Sequence, residues 1–218
     1  MLKKIILFPF GGNAREAAVI IQQMNTVHKE WGILGFLDDD KRMSGEEYLG
    51  IKVLGGKEVL SQYPDARILA VPGNPSQYLK RKEIIDGLAV EKSRFTQVIH
   101  PSAIVSPDSK VGTNSLIMAN VVVTSHVTIG DHCIILPNTT ISHDSVVGHY
   151  CCIGSNVSIS GGVQIGENSY IGSGSKIREQ IQIGTNTLVG LGSNVIRAVG
   201  DGTIIAGNPA KPLREKQK

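Results

Sequence analysis

From Ile99 onward the sequence repeats every six residues. The 17 positions spaced six apart from Ile99 to Val195 are all isoleucine or valine, without one insertion. A second column, four residues after each of these, carries small or β-branched residues such as Ala103, Ser115 and Cys133. Two inward-facing residues per hexad are typical of a short strand and a turn, and they predict a β-solenoid.

A longer period of 18 residues sets the shape of the solenoid. Glycines recur at this spacing, at Gly112, Gly130, Gly148, Gly166 and Gly184. Three hexads then form one triangular coil, and the hexapeptide pattern is that of a left-handed parallel β-helix of somewhat under six coils. The residue three places after each core position is Asn, Asp or Gly in 11 of 17 cases, which predicts positive φ at the corners.

The first 95 residues carry no such repeat and have the pattern of a small α/β unit with a parallel sheet. The predicted elements are a strand at 3–8, a helix from about 15 to 24, strands at 33–37 and 68–71, and a helix running to about Leu88. We therefore predict two domains, residues 1–95 and 96–218.

Three loops of the predicted α/β unit converge at the carboxyl ends of its strands, where ligands bind in such sheets. They are Gly11-Gly12-Asn13, Asp38-Asp39-Asp40 and Gly73-Asn74. Glycines allow a diphosphate to approach the backbone, and a carboxylate accepts hydrogen bonds from a ribose or a base. The G-x-G-x-x-G motif is absent, however, and a Gly-Gly pair before a helix is often only a turn. Both interpretations stay open on spacing alone.

Composition and charge narrow the function classes. With 41% apolar and 5% aromatic residues and 25 glycines, the chain suits stacked β-structure. Lys and Arg number 22 against 19 Asp and Glu, with no long block of one sign, so we expect no nucleic-acid partner. No apolar stretch is long enough to span a membrane and no signal peptide is evident. We expect a cytoplasmic protein whose three cysteines, Cys133, Cys151 and Cys152, are reduced thiols.

His143 is the strongest candidate for chemistry. It lies at a predicted corner and should be exposed, Asp144 follows it, and His126 lies 18 residues before Asp144. We therefore expect a His-Asp-His cluster on one edge, with His143 acting as a base near neutral pH. The alternative is that these histidines, with His132 and His149, lie at turns on a polar face and have no catalytic role. A nucleophilic Cys152 would need a proximity to His143 that a spacing of nine does not guarantee. The histidine spacing also does not match the zinc ligands of β-helical carbonic anhydrases, and no metal is expected.

These residues together resemble the bacterial nucleotide-sugar acetyltransferases of surface-glycan biosynthesis. This group includes UDP-4-amino-sugar and GDP-perosamine N-acetyltransferases and sialic acid O-acetyltransferase relatives. The similarity covers essentially the whole chain, and its marks are the loop after the first strand and the segments 35–39, 98–103, 141–148 and 207–211.

The resemblance implies a Rossmann-like nucleotide-sugar-binding domain, a left-handed β-helix, a homotrimer, and acetyl-CoA-dependent acetylation of a nucleotide-linked 4-amino-sugar. It implies His143 as general base and Asp144 as its acidic neighbour. It places acetyl-CoA between adjacent subunits, near Gly161, Ser173, Gly190, Leu191, Asn208 and Lys211. It places the nucleotide-sugar at Gly11, Gly12, Asn13, Asp38, Asp39, Gly73, Asn74 and Arg81.

Two positions depart from the family pattern. Asn13 stands where the family has histidine in the first loop, and Cys152 stands where it has a second histidine facing the thioester carbonyl. The implied mechanism is direct transfer without an acyl-enzyme. The alternatives are a sugar or sialic acid O-acetyltransferase, a non-catalytic solenoid that serves in binding or assembly, and a metal-dependent hydratase.

Overall fold

The structure is a computed structural model that describes residues 2–213. The N-terminal part contains a three-stranded parallel sheet in the order β2-β1-β5, with helix α1 packed on it, and a small antiparallel β3-β4 pair. Its elements are β1 (Lys3–Phe8), α1 (Gly12–Val27), β2 (Trp31–Phe36), β3 (Glu47–Tyr48), β4 (Ile51–Lys52), β5 (Arg67–Ala70) and α2 (Arg81–Asp86), with 3-10 helices at Lys41–Met43, Lys57–Gln62, Pro75–Lys80 and Lys92–Arg94.

The helix predicted to run to about Leu88 is shorter than expected and begins as a 3-10 helix. Gln77 has non-helical dihedrals inside Pro75–Lys80, and regular α2 starts only at Arg81. The phenolic hydroxyl of Tyr78 donates to the carbonyl of Asn186, 3.1 Å away, and Asn168 donates through Nδ2 to the carbonyl of Leu79 at 3.3 Å. Tyr78 and Leu79, which make these contacts with the solenoid, lie in the same 3-10 turn that departs from α-helical geometry.

From Val98 the chain forms the predicted parallel β-solenoid, with three faces. Face 1 contains β6 (Val98–Ile99), β9 (Leu116–Ile117), β12 (Ile134–Ile135), β15 (Cys152–Ile153), β18 (Tyr170–Ile171), β21 (Leu188–Val189), β23 (Ile204–Gly207) and β24 (Ala210–Pro212). Face 2 contains β7 (Ile104–Val105), β10 (Val122–Val123), β13 (Thr140–Ile141), β16 (Ser158–Ile159), β19 (Lys176–Ile177) and β22 (Asn194–Val195). Face 3 contains β8 (Lys110–Val111), β11 (Thr128–Ile129), β14 (Val146–Val147), β17 (Gln164–Ile165) and β20 (Gln182–Ile183).

Successive coils pair in parallel at the predicted 18-residue register, as Ile135 does with Ile153. The isoleucine and valine column from Ile117 to Val195 is buried, whereas Ile99, Val105 and Val111 in the first coil are only partly buried. Buried hydroxyls in the second column bond to carbonyls, as Thr139 does to Gly154 at 2.7 Å. The hydroxyls of this column therefore find their partners within the coils themselves.

The corners confirm the predicted backbone conformation. All 14 positions spaced six apart from Asn114 to Gly192 have positive φ, including His126 and Tyr150, which are neither Asn nor Gly. The glycines at the 18-residue spacing lie where coils approach closely: a Cβ on Gly130 would stand 2.7 Å from the backbone nitrogen of His149. We name corner 1–2, corner 2–3 and corner 3–1 after the faces that they join in chain order.

The N-terminal part packs against face 1. Leu116, Ile134 and Cys152 project outward from that face into one hydrophobic cluster with Ile5 and Ala17. Corner 3–1 adds polar contacts: Asn114 receives a hydrogen bond from the Ala70 N–H and donates one to its carbonyl, at 2.7 and 3.0 Å. Face 1 of the solenoid therefore forms one wall of the space at the carboxyl end of the N-terminal sheet.

Candidate active site

A cavity of about 730 Å³ opens at the carboxyl ends of β1 and β5, between the N-terminal part and face 1. Its lining includes every residue that the sequence assigned to the nucleotide-sugar. These are Gly11, Gly12, Asn13, Asp38, Asp39, Gly73, Asn74 and Arg81. The structure therefore brings together residues from four separate stretches of the chain.

The N-terminus of α1 faces this cavity. Gly11 is the N-cap, and no side chain caps the helix or places a carboxylate in its first turn. Asn13 donates through Nδ2 to the Val71 carbonyl at 3.3 Å, and a Cβ on Gly73 would stand 2.0 Å from that Nδ2. Because Gly73 has no side chain, the Asn13 side chain reaches the Val71 carbonyl just after β5. The backbone amides of the first turn of α1 are left for an anionic ligand.

The two aspartates after β2 differ in how their oxygens are used. Asp38 accepts from the N–H of Phe10 at 3.0 Å and from that of Asp40 at 2.9 Å, one on each oxygen. Asp39 accepts from the Lys57 N–H through Oδ1 at 2.9 Å, and its Oδ2 has no hydrogen-bond partner in the described part of the chain. Asp38 therefore fixes the loop, while Asp39 retains an acceptor oxygen for a ligand.

Arg81 brings a buried positive charge to the cavity wall. It is 3% exposed, and its guanidinium donates to the carbonyls of Pro72, His132 and Tyr150, the last at 3.0 Å. Burial lowers the pKa of this guanidinium. Its partners are neutral carbonyls, so its charge is uncompensated by direct contact and favours an anion in the cavity.

Face 1 supplies Cys152 and Tyr170 to the same cavity. Cys152 is 2% exposed, and burial raises the pKa of its thiol. The sequence associated Cys152 with the cofactor, whereas the structure places it among the predicted substrate residues. Tyr170 was missed, although the coil register already stacks it on Cys152, 18 residues earlier. Gln77 and Tyr78 were missed as well, because only the folded 3-10 turn brings them to the cavity.

His143 and Asp144 lie on corner 2–3, directly after β13. Both side chains are more than 60% exposed, and Nδ1 of His143 is 2.9 Å from Oδ2 of Asp144. A carboxylate only accepts, so Nδ1 is the donor in this contact, and in the neutral form of the ring Nε2 presents a lone pair. The expected His-Asp-His cluster is present as well: Nδ1 of His126 is 3.7 Å from Oδ1 of Asp144.

Gly161 lies one coil beyond His143. A Cβ there would stand 2.6 Å from Cε1 and 2.7 Å from Nε2 of the imidazole. The Gly161 N–H has no hydrogen-bond acceptor among residues 2–213. A residue whose N–H has no acceptor in the described part of the chain therefore packs against the imidazole ring.

The other predicted cofactor residues gather elsewhere, at the C-terminal end of corner 1–2. The Gly192 N–H bonds to the Ser173 carbonyl, and the Gly190 N–H bonds to the Ile205 carbonyl, both at 2.8 Å. The hydroxyl of Ser173 accepts from the Ser155 N–H. Leu191 is 82% exposed, and Asn208 and Lys211 lie at the turn and second strand of the adjacent β23-β24 hairpin.

One chain does not bring these groups into a single site. The cavity lies against face 1, while His143 and Gly161 lie on corner 2–3, which a triangular coil places opposite face 1. The predicted cofactor residues Ser173, Gly190 and Leu191 are on yet another corner. Within residues 2–213, no cluster of three or more His, Cys, Asp or Glu is arranged to hold a metal ion, and no helix there is long and apolar enough to cross a membrane.

The solenoid and its corner histidine define the class of the chain, that of the hexapeptide-repeat proteins. The family of the GMPPB C-terminal domain matches residues 95–189. The UDP-N-acetylbacillosamine N-acetyltransferase of Bacillus subtilis is 30% identical over 120 residues, which cover 54% of this chain and 52% of that protein. The match thus spans about half the length of this curated relative.

Several solved structures match over almost the whole chain, and two of them carry bound ligands that bear on function. The acetyltransferase domain of PglB from Neisseria gonorrhoeae, in complex with acetyl coenzyme A, is 30% identical with a TM-score of 0.85, over 98% of this chain and 100% of that one. PerB from Caulobacter crescentus, in complex with CoA and GDP-perosamine, is 26% identical with a TM-score of 0.83, over 97% of each chain. The chain belongs to this family of hexapeptide-repeat nucleotide-sugar N-acetyltransferases.

Proposed function

We propose that the protein transfers the acetyl group of acetyl-CoA to the amino group of a nucleotide-linked 4-amino-sugar. The observation that carries the proposal is the pair formed by His143 and Asp144 on an exposed corner, with Gly161, whose N–H has no acceptor among residues 2–213, packed against the imidazole. The relatives in complex with acetyl coenzyme A and with GDP-perosamine support the choice of substrates.

The N-terminal part, residues 1–95, is the nucleotide-sugar domain and is Rossmann-like in this proposal. The α1 N-terminus and the Arg81 guanidinium hold the diphosphate, because both favour negative charge. Asp39 accepts from a ribose hydroxyl or a base N–H through its free oxygen. The second domain, residues 96–218, carries the chemistry, and its described part forms a left-handed β-helix.

His143 is the general base of the proposed reaction. Its Nε2 accepts the proton that the amine nitrogen loses as that nitrogen attacks the thioester carbonyl. The C–S bond then breaks, and the proton on Nε2 passes to the leaving thiolate, which is released as the CoA thiol. Asp144 keeps the imidazole in the tautomer with Nδ1 protonated. The Gly161 N–H donates to the oxygen that gains charge in the transition state.

In this proposal the active site is shared between copies of the chain, and the assembly is a homotrimer. The placement of the groups supports a shared site, because His143 and Gly161 are on the corner opposite the face that bears the cavity. A neighbouring copy is needed to bring its corner 2–3 to this cavity. In the same arrangement, Gly161 of one copy lies next to the other proposed cofactor residues of a neighbouring copy, which are Ser173, Gly190, Leu191, Asn208 and Lys211.

An acetyl-transfer assay tests the reaction. Purified protein is incubated with acetyl-CoA and a panel of UDP-, GDP-, CDP- and TDP-linked 4-amino-sugars, and free CoA thiol and acetylated product are measured. We expect N-acetylation of at least one member. Transfer to hydroxyl sugars alone would favour the O-acetyltransferase alternative, and no transfer with any acceptor would overturn the proposal.

Mixed trimers test the shared site. The first variant is His143→Ala, and the second is Gly12→Asp, which adds a carboxylate at the diphosphate position where a new Cβ meets nothing within 4 Å. Each variant alone should be nearly inactive, and co-expression should restore activity because some interfaces pair an intact cavity with an intact His143. Gly12→Asn is the neutral control for shape. No recovery, together with a mass of one 23.3 kDa chain in light scattering, would refute the shared site.

A further inference from the structure

Along corner 2–3, which bears His143, aspartate and histidine side chains alternate over three coils. Oδ2 of Asp108 is 3.5 Å from Nε2 of His126, and Nδ1 of His126 is 3.7 Å from Oδ1 of Asp144. Asp144 in turn contacts His143 through its other oxygen. The order along the edge is acid, imidazole, acid, imidazole.

Each carboxylate oxygen of Asp144 therefore has a different histidine beside it. Oδ2 contacts the proposed base, and Oδ1 faces His126. On the opposite side, the corner positions one coil beyond are Gly161 and Gly162, which have no side chains that would restrain Asp144. The Asp144 side chain is 62% exposed, so the packing around it leaves room for rotation.

The exposed His126 ring lies between two carboxylates. Its backbone lies in the left-handed region, at φ 56°, where histidine is uncommon. Asp108 stands on the far side of its ring, and the Ser106 hydroxyl, a backbone contact of His126 and the charge of His126 lower the pKa of Asp108, the first of these most. Asp108 thus stays a carboxylate and keeps the His126 ring between two acids.

We infer that His126 is a positioning residue, which holds the free oxygen of Asp144 so that the other oxygen stays on Nδ1 of His143. The inference rests on the proposed function of His143 and concerns a residue that does not touch the substrates. When protonated, His126 forms an ion pair with Asp144; when neutral, it still limits the rotation of that carboxylate by contact.

The test is a double-mutant cycle of His126→Asn and Asp144→Asn. Asparagine suits positive φ, so the backbone at residue 126 is preserved. We expect His126→Asn to lower kcat about threefold to fivefold, the size of an exposed ion-pair effect, with KM for acetyl-CoA unchanged. In the Asp144→Asn background the same substitution should have no further effect, because the carboxylate through which it acts is gone.

A matched control is His149→Asn. His149 is also a corner histidine, with Nδ1 3.7 Å from an aspartate oxygen, that of Asp131, but it lies on corner 3–1 and should leave kcat unchanged. An unchanged kcat in His126→Asn would overturn the inference. An equal loss in both backgrounds would overturn it too, because a change transmitted through the coil does not need the Asp144 carboxylate.

A second readout separates this inference from the proposed reaction. In protein labelled with ¹³C at histidine Cε1, His126→Asn should move the His143 signal in the wild-type background and leave it in place in the Asp144→Asn background. This result is independent of turnover. If the wild-type protein acetylates no acceptor but the His143 signal responds in this way, the proposed function fails and the coupling stands.

Discussion

Gly161 lies so close to His143 that a Cβ on the glycine would stand 2.6 Å from Cε1 of the imidazole. The two residues are 18 apart and occupy the same corner of successive coils. The missing side chain leaves space for the ring, and the Gly161 N–H has no acceptor among residues 2–213. The 18-residue repeat thus brings the proposed base and donor onto successive coils of one corner.

Gly161→Ala should inactivate the protein and leave its fold intact. The new methyl group displaces the imidazole, and a misplacement of about 1 Å costs roughly 100-fold in rate. Gly161 does not have positive φ, so the backbone tolerates alanine. The measurement is kcat alongside Tm, with Gly200→Ala as the control because the nearest atom to its new Cβ is 3.9 Å away. Wild-type kcat in Gly161→Ala would place the base elsewhere.

His143→Ala should lower kcat by about 10²- to 10⁴-fold, the usual cost of removing a general base. Acetyl-CoA binding, measured by calorimetry, should change little, because the imidazole acts on the proton of the acceptor. Asp144→Asn should cost less, since it alters the orientation of the ring without removing the proton acceptor. A larger loss in Asp144→Asn than in His143→Ala would contradict these roles.

Cys152→Ser should have the smallest effect of these substitutions on kcat. Burial raises the pKa of the Cys152 thiol, so it is a poor nucleophile, and the proposed transfer is direct. Mass spectrometry of protein incubated with acetyl-CoA and no acceptor should show no acetyl group on Cys152. An adduct there, together with loss of activity in Cys152→Ser, would establish a covalent route instead.

Much of the fold was predictable because a solenoid translates sequence spacing directly into spatial neighbours. The 18-residue register that pairs Ile135 with Ile153 also places His126 next to Asp144. That is why the cluster on corner 2–3 was foreseen from spacing alone.

The residues that line the cavity were predictable from the sequence only in part. Its loops were predictable from the ends of parallel strands, but the contributions of Tyr170 and Tyr78 depend on how the N-terminal part docks on face 1. The docking uses positive-φ residues of corner 3–1, including Asn114 and Tyr150, which the six-residue repeat placed only at a turn. Periodicity identifies such residues as corners and says nothing of what packs outside them.

Residues 96–218 alone should be poorly soluble. Removal of the N-terminal part uncovers outward-facing Leu116, Ile134 and Cys152 on face 1, which are all buried in the whole chain. The double variant Leu116→Thr and Ile134→Thr should restore solubility, because the equivalent outward position on face 2 already holds Thr140. Size-exclusion chromatography and circular dichroism compare the two truncated forms. The soluble form should bind CoA and lose affinity for nucleotide-sugars, and retained affinity would refute the proposed division of roles.

His132 lies in the contact between the N-terminal part and corner 3–1. Its ring stacks on Tyr150 with centroids 4.6 Å apart and meets Phe95 edge-on at 5.1 Å. Nδ1 accepts from Asn114 at 2.8 Å. Burial lowers the pKa of His132 from 6.5 to about 4, opposed by the charges of Asp131 and Asp86 and assisted by those of Arg81 and His149.

The stability of the protein should therefore fall in acid through His132. In the unfolded chain His132 binds a proton near pH 6.5, whereas in the folded chain it does so only near pH 4. The contribution of His132 to the unfolding free energy is therefore complete above pH 6.5 and is lost as the pH falls towards 4. The slope from this group is at most about 1.4 kcal/mol per pH unit. We expect His132→Asn, which suits the positive φ there, to be less stable at pH 7 but to lose less on acidification. Unfolding free energies at fixed protein concentration, measured from pH 7 to 4, compare the slopes, and parallel curves would show that His132 is not the group that titrates.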